Sequence, residues 1–583
     1  MNLITFNIDD KLINNKNQKI LNSNKDLLFN NACQHNKDFR KKNKNKVSKV
    51  FTYKNSLAIA KNYRFLENVY FEILEYLKVS LNKAHKKNYN KHYWEILVGK
   101  WLRTLVYQSF INWEILRKIE KKYNINSAYK ISLKDETFIP ENTWHAHILT
   151  RSNLHKYNLF HHWLLSKMID EKDIDTKNFD LKKNLNLKKE ILKLNKPDKF
   201  HKIFYKSFNN KIFYYQWDVP REIKLKIMKY FKFINIPLGV KEINKYNYEN
   251  LDREKIFYYK KTKGNYKSFL KKIIRFTLPR IYLENYKTLE DHYKNLNWPK
   301  NPKYILTSYP YYDELFKFYC AQKYISGSKI VITQHGYDNI YKNDNWFVNK
   351  MFANQLCWGT NKKKGLHKFI FTKNYIKREN KFKFDKTKKI LLVLYSFIEM
   401  EDRTPDGYLD NFSINKLIFN STNKYLKSLS KNIKKKNVIK AQQETRYSVL
   451  ENSLKKEHRS LKILNMEKPF IKIINQYNLS IHFFIGTPFF ESIYLNRPTI
   501  IIFNKKINFR LNEKFLQFIQ KFKENDICFE SSIKAANFIN KNYDNLEVWW
   551  RSPTRQRILK DFKENFCRHS NDLSAEFERI SKI

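Results

Sequence analysis

The chain has 583 residues, of which 42% are hydrophobic and 16% aromatic, and its 113 Lys and Arg against 56 Asp and Glu leave a formal net charge of +57. That length is too great for one ordinary core, so at least two domains are expected, and that apolar content excludes disorder throughout. The charge excess is largely lysine, dispersed among Asn and Ile with only 9 glycines; it reads as a bias towards A/T-rich codons, and no nucleic-acid partner is expected without a clustered basic face or a known motif.

No segment has the uncharged apolar length that spans a bilayer. The opening MNLITFNIDDKL lacks a basic region followed by an apolar one, so no secretory signal is expected. The cysteines (Cys33, Cys320, Cys357, Cys528 and Cys567) are scattered, without metal-ligand or redox spacing, which suits a reducing cytoplasm. The densest basic runs, RKKNKNKVSK (40–49) and KNIKKKN (431–437), read as solvated loops. Contact with anionic lipid at the inner face of the membrane is the other reading of that charge.

In chain order, residues 1–50 form an Asn/Lys-rich segment, in which 9–50 reads as loop around one apolar island, DLLFNNAC. Residues 51–345 are expected to form a first lobe, helical and then α/β. Within YWEILVGKWLRTLVYQSF, Trp94, Leu97, Val98, Trp101, Leu102, Leu105 and Val106 make a helical stripe, so the two tryptophans are expected in the core. The histidine-rich WHAHILTRSNLHKYNLFHHW (144–163) matches no zinc spacing, and no structural metal is expected. Residues 123–300 give no secure assignment. Then YILTS (304–308) reads as a strand, YYDELFKFYCAQKYI (311–325) as a helix and KIVITQHG (329–336) as a strand.

The strand series pauses over 346–387, taken as an interlobe linker, and restarts at KKILLVLYSF (388–397). Strands at NVIKAQ, LKILN, LSIHFFIG and PTIIIF then alternate with helices at INKLIFNSTNKYLKSLSKNI, PFIKIINQY and TPFFESIYLN. This alternation predicts parallel sheets of βαβ units. The expected fold class is α/β with two Rossmann-like lobes, a second lobe over 388–545, and a C-terminal helix over 546–583. Ligands would bind at the carboxyl ends of the strands, in the crevice between lobes.

Two segments point into that crevice. In IGTPFFES, Gly486 permits a tight turn, Thr487 suits an N-cap and Pro488 the first helical position. The amides and positive dipole end of that helix favour an anion such as phosphate. Glu491 lies one turn on, where a carboxylate can accept hydrogen bonds from a ribose diol; a capping box with the Thr487 amide is the structural alternative. In VITQHG, Gln334, His335 and Gly336 fall at a strand's carboxyl end. A histidine there can serve as general base, and glycine admits close approach of a ligand. A strand-end histidine can equally be a hydrogen-bonded structural group. Lys440 and Glu444, in VIKAQQETRY, complete the expected donor side, with the lysine able to neutralise a phosphate.

The chain resembles a family of transferases found among bacterial surface-carbohydrate (O-antigen and related glycan) biosynthesis proteins. The resemblance lies in Leu81, Asn82, His85, Tyr93, Trp94, Gly99, Trp101 and Leu102; in QHGY (334–337) with CWGT (357–360); in GTPFFESIYLNRPTIIIFN; and in residues 531–568 with Trp549, Trp550 and Gln556. The middle segments are similar to pieces of two-lobed GT-B sugar transferases and of polyol-phosphate transferases. The sequence departs from the family at 27–34, where Gly and Trp are absent, and at Lys440, where arginine is expected. The resemblance implies glycosyl transfer from a nucleotide-activated donor, with no other cofactor, to a glycan or lipid-linked acceptor. His335 would act on the acceptor; Lys440, Glu444, Gly486, Thr487 and Glu491 would bind the donor; Asn82, His85, Gln334 and Gly336 would lie on the acceptor side. A polyol-phosphate transferase of CDP-glycerol type is the alternative, and a non-catalytic basic nucleic-acid- or membrane-binding protein is the alternative of another class.

Overall fold

The computed structural model describes residues 1–5, 26–29, 56–131, 134–152, 154–172, 174–179, 212–232, 248–259, 262, 264–296, 298–336, 340, 354–359, 365–373, 382–395, 411–440, 449–464, 469–508 and 511–583. It is an α/β protein built on three parallel sheets. The first holds β1 (Asn2–Ile4), β2 (Asp26–Leu28), β3 (Ser127–Ile131) and β4 (Asp175–Phe179) in the order β2-β1-β3-β4. The second runs β5 (Ile212–Tyr214), β6 (Tyr304–Thr307), β7 (Lys329–Thr333), β8 (Asn354–Trp358) and β9 (Leu366–Phe369) in chain order. The third holds β10 (Lys389–Val393), β11 (Asn437–Lys440), β12 (Lys462–Ile463), β13 (Tyr477–His482), β14 (Thr499–Ile502) and β15 (Cys528–Phe529) in the order β12-β11-β10-β13-β14-β15. Counted from β10, that is the doubly wound nucleotide-binding order, with its reversal between β10 and β13.

The sheet faces explain the layering. Along β6 and β7 the side chains alternate: Ile305, Ile330 and Ile332 join the core shared with the N-terminal elements, whereas Tyr304, Leu306 and Val331 face the other way. Against that second face lie Leu573, Phe577 and Ile580 of the Leu573–Ser581 helix. The C-terminal helix therefore crosses back onto the first lobe, where the Tyr304 hydroxyl donates to the Ser581 carbonyl at 2.8 Å. The helical N-terminal stretch is a hairpin of Ser56–His85 and Lys91–Lys122, with all seven residues of the expected stripe buried.

Three expectations are corrected. The N-terminal region is not helical alone, because β1 to β4 form a sheet of their own within the first lobe's core. Residues 346–387 are not simply a linker: β8 and β9 lie there and complete the second sheet. Both are short and set among lysines, without the long apolar run that marks a buried strand. The helix after β13 starts one residue earlier than expected, with Gly486 at the N-cap and Thr487 as the first helical residue. Gly486 has ordinary extended backbone (φ −137°, ψ 179°), so the turn does not draw on glycine's left-handed freedom.

Candidate active site

The carboxyl edge of the β5–β9 sheet is sewn together by side chains from each loop. The Trp217 indole donates to Thr333 Oγ1 at 2.6 Å, and the Asp218 amide donates to Ser308 Oγ at 2.9 Å. Gln334 Oε1 accepts from the Trp358 amide at 2.7 Å, while its Nε2 donates to the Gly336 carbonyl at 2.6 Å. Trp358 in turn donates from its indole to Thr372 Oγ1 at 2.9 Å. Gln334 is buried and spent on this lattice; it fixes the turn that carries His335 and Gly336. Gln216 adopts a left-handed conformation (φ 45°), uncommon outside glycine, two residues before Asp218.

His335 sits half-exposed in the middle of this edge. Its Nδ1 lies 2.8 Å from Asp218 Oδ2 and 3.4 Å from Lys373 Nζ, and Lys373 also ion-pairs with Asp218. The shorter contact places a proton on Nδ1, donated to the carboxylate, and leaves Nε2 as the basic nitrogen. Burial alone would raise the Asp218 pKa, but the hydrogen bonds from His335 and Lys373 outweigh it and hold the carboxyl well below the usual range. Tyr309 meets the imidazole edge-on, with ring centroids 5.0 Å apart.

The second lobe approaches through the Thr487–Tyr494 helix. Phe371, just beyond β9, packs on Tyr494 with centroids 4.9 Å apart, and Trp358 packs on Phe371 at 4.8 Å. The helix is pinned to its own sheet by a buried polar group: His482 Nε2 lies 3.1 Å from Ser480 Oγ and 3.3 Å from Ser492 Oγ. Burial holds that imidazole down at about 3, so it is neutral. Beside Ser492, Glu491 is half-buried, and desolvation pushes its carboxyl up to about 7, against the field of Lys373. Among the described residues its carboxylate makes no hydrogen bond, so the capping box is not formed. Lys373 thus contacts both His335 and Asp218, and its field reaches Glu491.

Of the remaining expected residues, Lys440 ends β11 on the same edge of the second lobe's sheet; it is buried, and desolvation lowers its pKa. Glu444 lies outside the described residues. Asn82 and His85 stand elsewhere, in the helical hairpin. Asn82 Oδ1 accepts from the Tyr89 amide at 3.1 Å and the Trp94 indole at 2.9 Å, while its Nδ2 donates to the Tyr89 carbonyl at 2.8 Å. His85 contacts the Tyr282 carbonyl at 3.0 Å and stacks on Tyr286 at 4.1 Å, and burial lowers its pKa. Asn82 thus closes the hairpin's own turn, and His85 fastens the hairpin to the Tyr282–Tyr286 segment. Sequence reasoning missed Asp218 and Lys373: one follows a three-residue strand, and the other is one lysine in a lysine-rich chain.

Among the described residues no helix is long and apolar enough to cross a membrane. The chain belongs to the LIC12162 family of transferases, whose model matches residues 11–580. It is therefore a transferase. No curated protein matches it. Among solved structures, a mutant of S. aureus TarM in complex with fondaparinux, α-GlcNAc-glycerol and UDP is similar over 48% of this chain and 54% of its own, at 13% identity and TM-score 0.31. The chain thus spans about half of TarM's length. The wall teichoic acid polymerase TagF is similar over 65% of this chain and 91% of its own, at 11% identity and TM-score 0.33. For MurG of Acinetobacter baumannii the figures are 64% and 99%, at 11% identity and TM-score 0.32. Likenesses this distant assign neither donor nor acceptor.

Proposed function

We propose that this transferase moves a glycosyl unit from a nucleotide-activated donor to a hydroxyl of a surface-glycan precursor, in the crevice between the β5–β9 and β10–β15 sheets. The observation that carries the reading is the His335–Asp218–Lys373 cluster at the strand ends of the first lobe, with Glu491 of the second lobe within the field of Lys373. His335 Nε2 takes the proton of the acceptor hydroxyl, whose oxygen attacks the sugar's anomeric carbon as the bond to the leaving phosphate breaks. Asp218 keeps the imidazole in the required tautomer and stabilises the imidazolium that forms. Lys373 and the amides at the start of the Thr487–Tyr494 helix bind the phosphates, whose charge grows as the nucleotide leaves. Glu491 accepts from the ribose hydroxyls, and Lys440 adds positive charge on the same edge.

In this reading the enzyme works in the cytoplasm, with its basic surface favouring an anionic, membrane-borne acceptor. A polyol-phosphate donor would use the same base and phosphate site, with attack at phosphorus instead of carbon. Substitution tests the reading. His335→Ala and Glu491→Ala should each abolish surface glycan in cells while the protein stays folded. Unchanged glycan in both variants would support a charge-driven binding protein instead.

A further inference from the structure

One face of the first lobe sets cations without partners beside exposed apolar groups. It belongs to the Arg221–Tyr230 helix, which begins three residues after Asp218, so its first turn stands at the lip of the crevice. Ile223 and Ile227 are fully buried among Leu573, Phe577 and Ile580 and seat the helix against the β5–β9 sheet. Lys224 is half-buried and also turns inward, 5.8 Å from the Tyr214 ring.

The outer half of the helix has a definite pattern. Arg221, Leu225 and Lys229 follow one another at four-residue spacing along one row, and Lys226 and Tyr230 form the next. Lys232 lies just beyond the helix end. All six are exposed, Leu225 at 49% and Tyr230 at 42%. Glu222 is the helix's one acid. Among the described residues, Arg221, Lys229 and Lys232 meet no carboxylate. Elsewhere on this lobe helix cations are paired, as in Arg117–Glu114 at 2.8 Å and Lys172–Glu120 at 2.9 Å.

We propose that this face docks on an anionic bilayer and so brings the crevice to a membrane-borne acceptor. Basic residues set around exposed apolar side chains suit a helix lying in the headgroup region, where the cations meet lipid phosphates and the apolar groups reach below them. Leu225 decides between anionic partners, because a nucleic-acid backbone would use the cations alone and leave the leucine in water. Docking rests on the transfer reading for its purpose alone; the contact itself needs no donor.

Co-sedimentation of the full chain with vesicles tests this, using phosphatidylcholine and phosphatidylglycerol in equal parts against phosphatidylcholine alone. The parent should bind the mixed vesicles and not the neutral ones. Arg221→Gln with Lys229→Gln should weaken binding about 25-fold, at about fivefold for each cation removed. Leu225→Ser should weaken it about fivefold, the loss of burying half a leucine side chain. Removing two exposed cations of the second lobe, Lys534→Gln with Lys560→Gln, should leave binding within about twofold of the parent, because charges far from the contact are screened. All variants should melt as the parent does, since every changed side chain is exposed. Equal losses in the two paired variants, full binding by Leu225→Ser, or tighter binding to poly(U) RNA than to the mixed vesicles would each overturn the proposal. Stabilisation by a nucleotide-linked donor should be the same in the parent and in the Arg221→Gln, Lys229→Gln variant. Its absence from both would count against the transfer reading and leave the docking result standing.

Discussion

Asp218 follows an edge strand of its sheet and His335 follows the central one, yet their Oδ2 and Nδ1 atoms lie 2.8 Å apart. The loop after β5 must cross the strand ends to make this contact, and its left-handed Gln216 and the bonds to Thr333 and Ser308 guide it there. The pairing is what a base needs: one ring nitrogen held by an anion, the other left to take a proton. His335→Ala should lower kcat by about 10²- to 10⁴-fold, the range for a lost general base. Asp218→Asn should lower it by about 10- to 100-fold with little change in KM, as expected for an orienting partner. Steady-state kinetics on donor and acceptor would check both, and a kcat unaffected by Asp218→Asn would remove the pair from the mechanism.

Glu491 makes folding depend on pH in a definite direction. An unfolded glutamate titrates near 4.3, whereas desolvation places the folded group at about 7. Its contribution to stability is therefore full below the unfolded value and is lost as pH rises through about 7. Glu491→Gln removes that penalty. The melting temperature of the variant relative to the parent should rise between pH 5 and pH 8, and parallel pH curves would show that Glu491 titrates normally.

Asn82 should matter to stability and not to catalysis. Its amide closes the turn between the two long helices and satisfies the buried Trp94 indole. Asn82→Ala should cost about 1–3 kcal/mol, the range for leaving a buried donor unpaired. Its kcat/KM per folded molecule should match the parent's. Denaturant unfolding together with kinetics would separate these, and a large kinetic loss at full stability would return Asn82 to the acceptor side.

Gly359 is where the first lobe touches the backbone of the Pro553–Phe566 helix. It has φ +122°, and a Cβ there would stand 2.3 Å from the Asn565 carbonyl oxygen. Neither strain nor contact can be relieved by a side-chain rotation. Gly359→Ala should destabilise the protein by about 2 kcal/mol or more. The Phe371 amide, which donates to the Arg568 carbonyl at 2.8 Å, should exchange faster in the variant. Unchanged melting and exchange would mean that this contact bears no load.

The second lobe was legible because its strands are apolar runs of ordinary length, separated by helices with clear ends, so β10, β11, β13 and β14 stand out. The first lobe was harder to read. β1, β2 and β5 have three residues each and carry no period, and β8 and β9 lie where lysine dominates. The same contrast governs the site. His335 and Glu491 announce themselves by breaking an apolar run at a strand or helix end. Asp218 and Lys373 do not, because only the fold brings the two edges of the sheet together over the central strand. Asn82 and His85 show the converse: polar residues in an aromatic signature draw attention, yet a helix hairpin needs polar fasteners too.

In the proposed reaction, Lys373 and the start of the Thr487–Tyr494 helix hold the donor's phosphates opposite His335. A thermal-shift screen against CMP-, CDP-, UDP-, GDP- and dTDP-linked donors, run on the parent, Lys373→Met and His335→Ala, tests this directly. One nucleotide class should raise the melting temperature of the parent and of His335→Ala, and should fail to do so for Lys373→Met. No shift with any donor, or a shift that Lys373→Met retains in full, would contradict it.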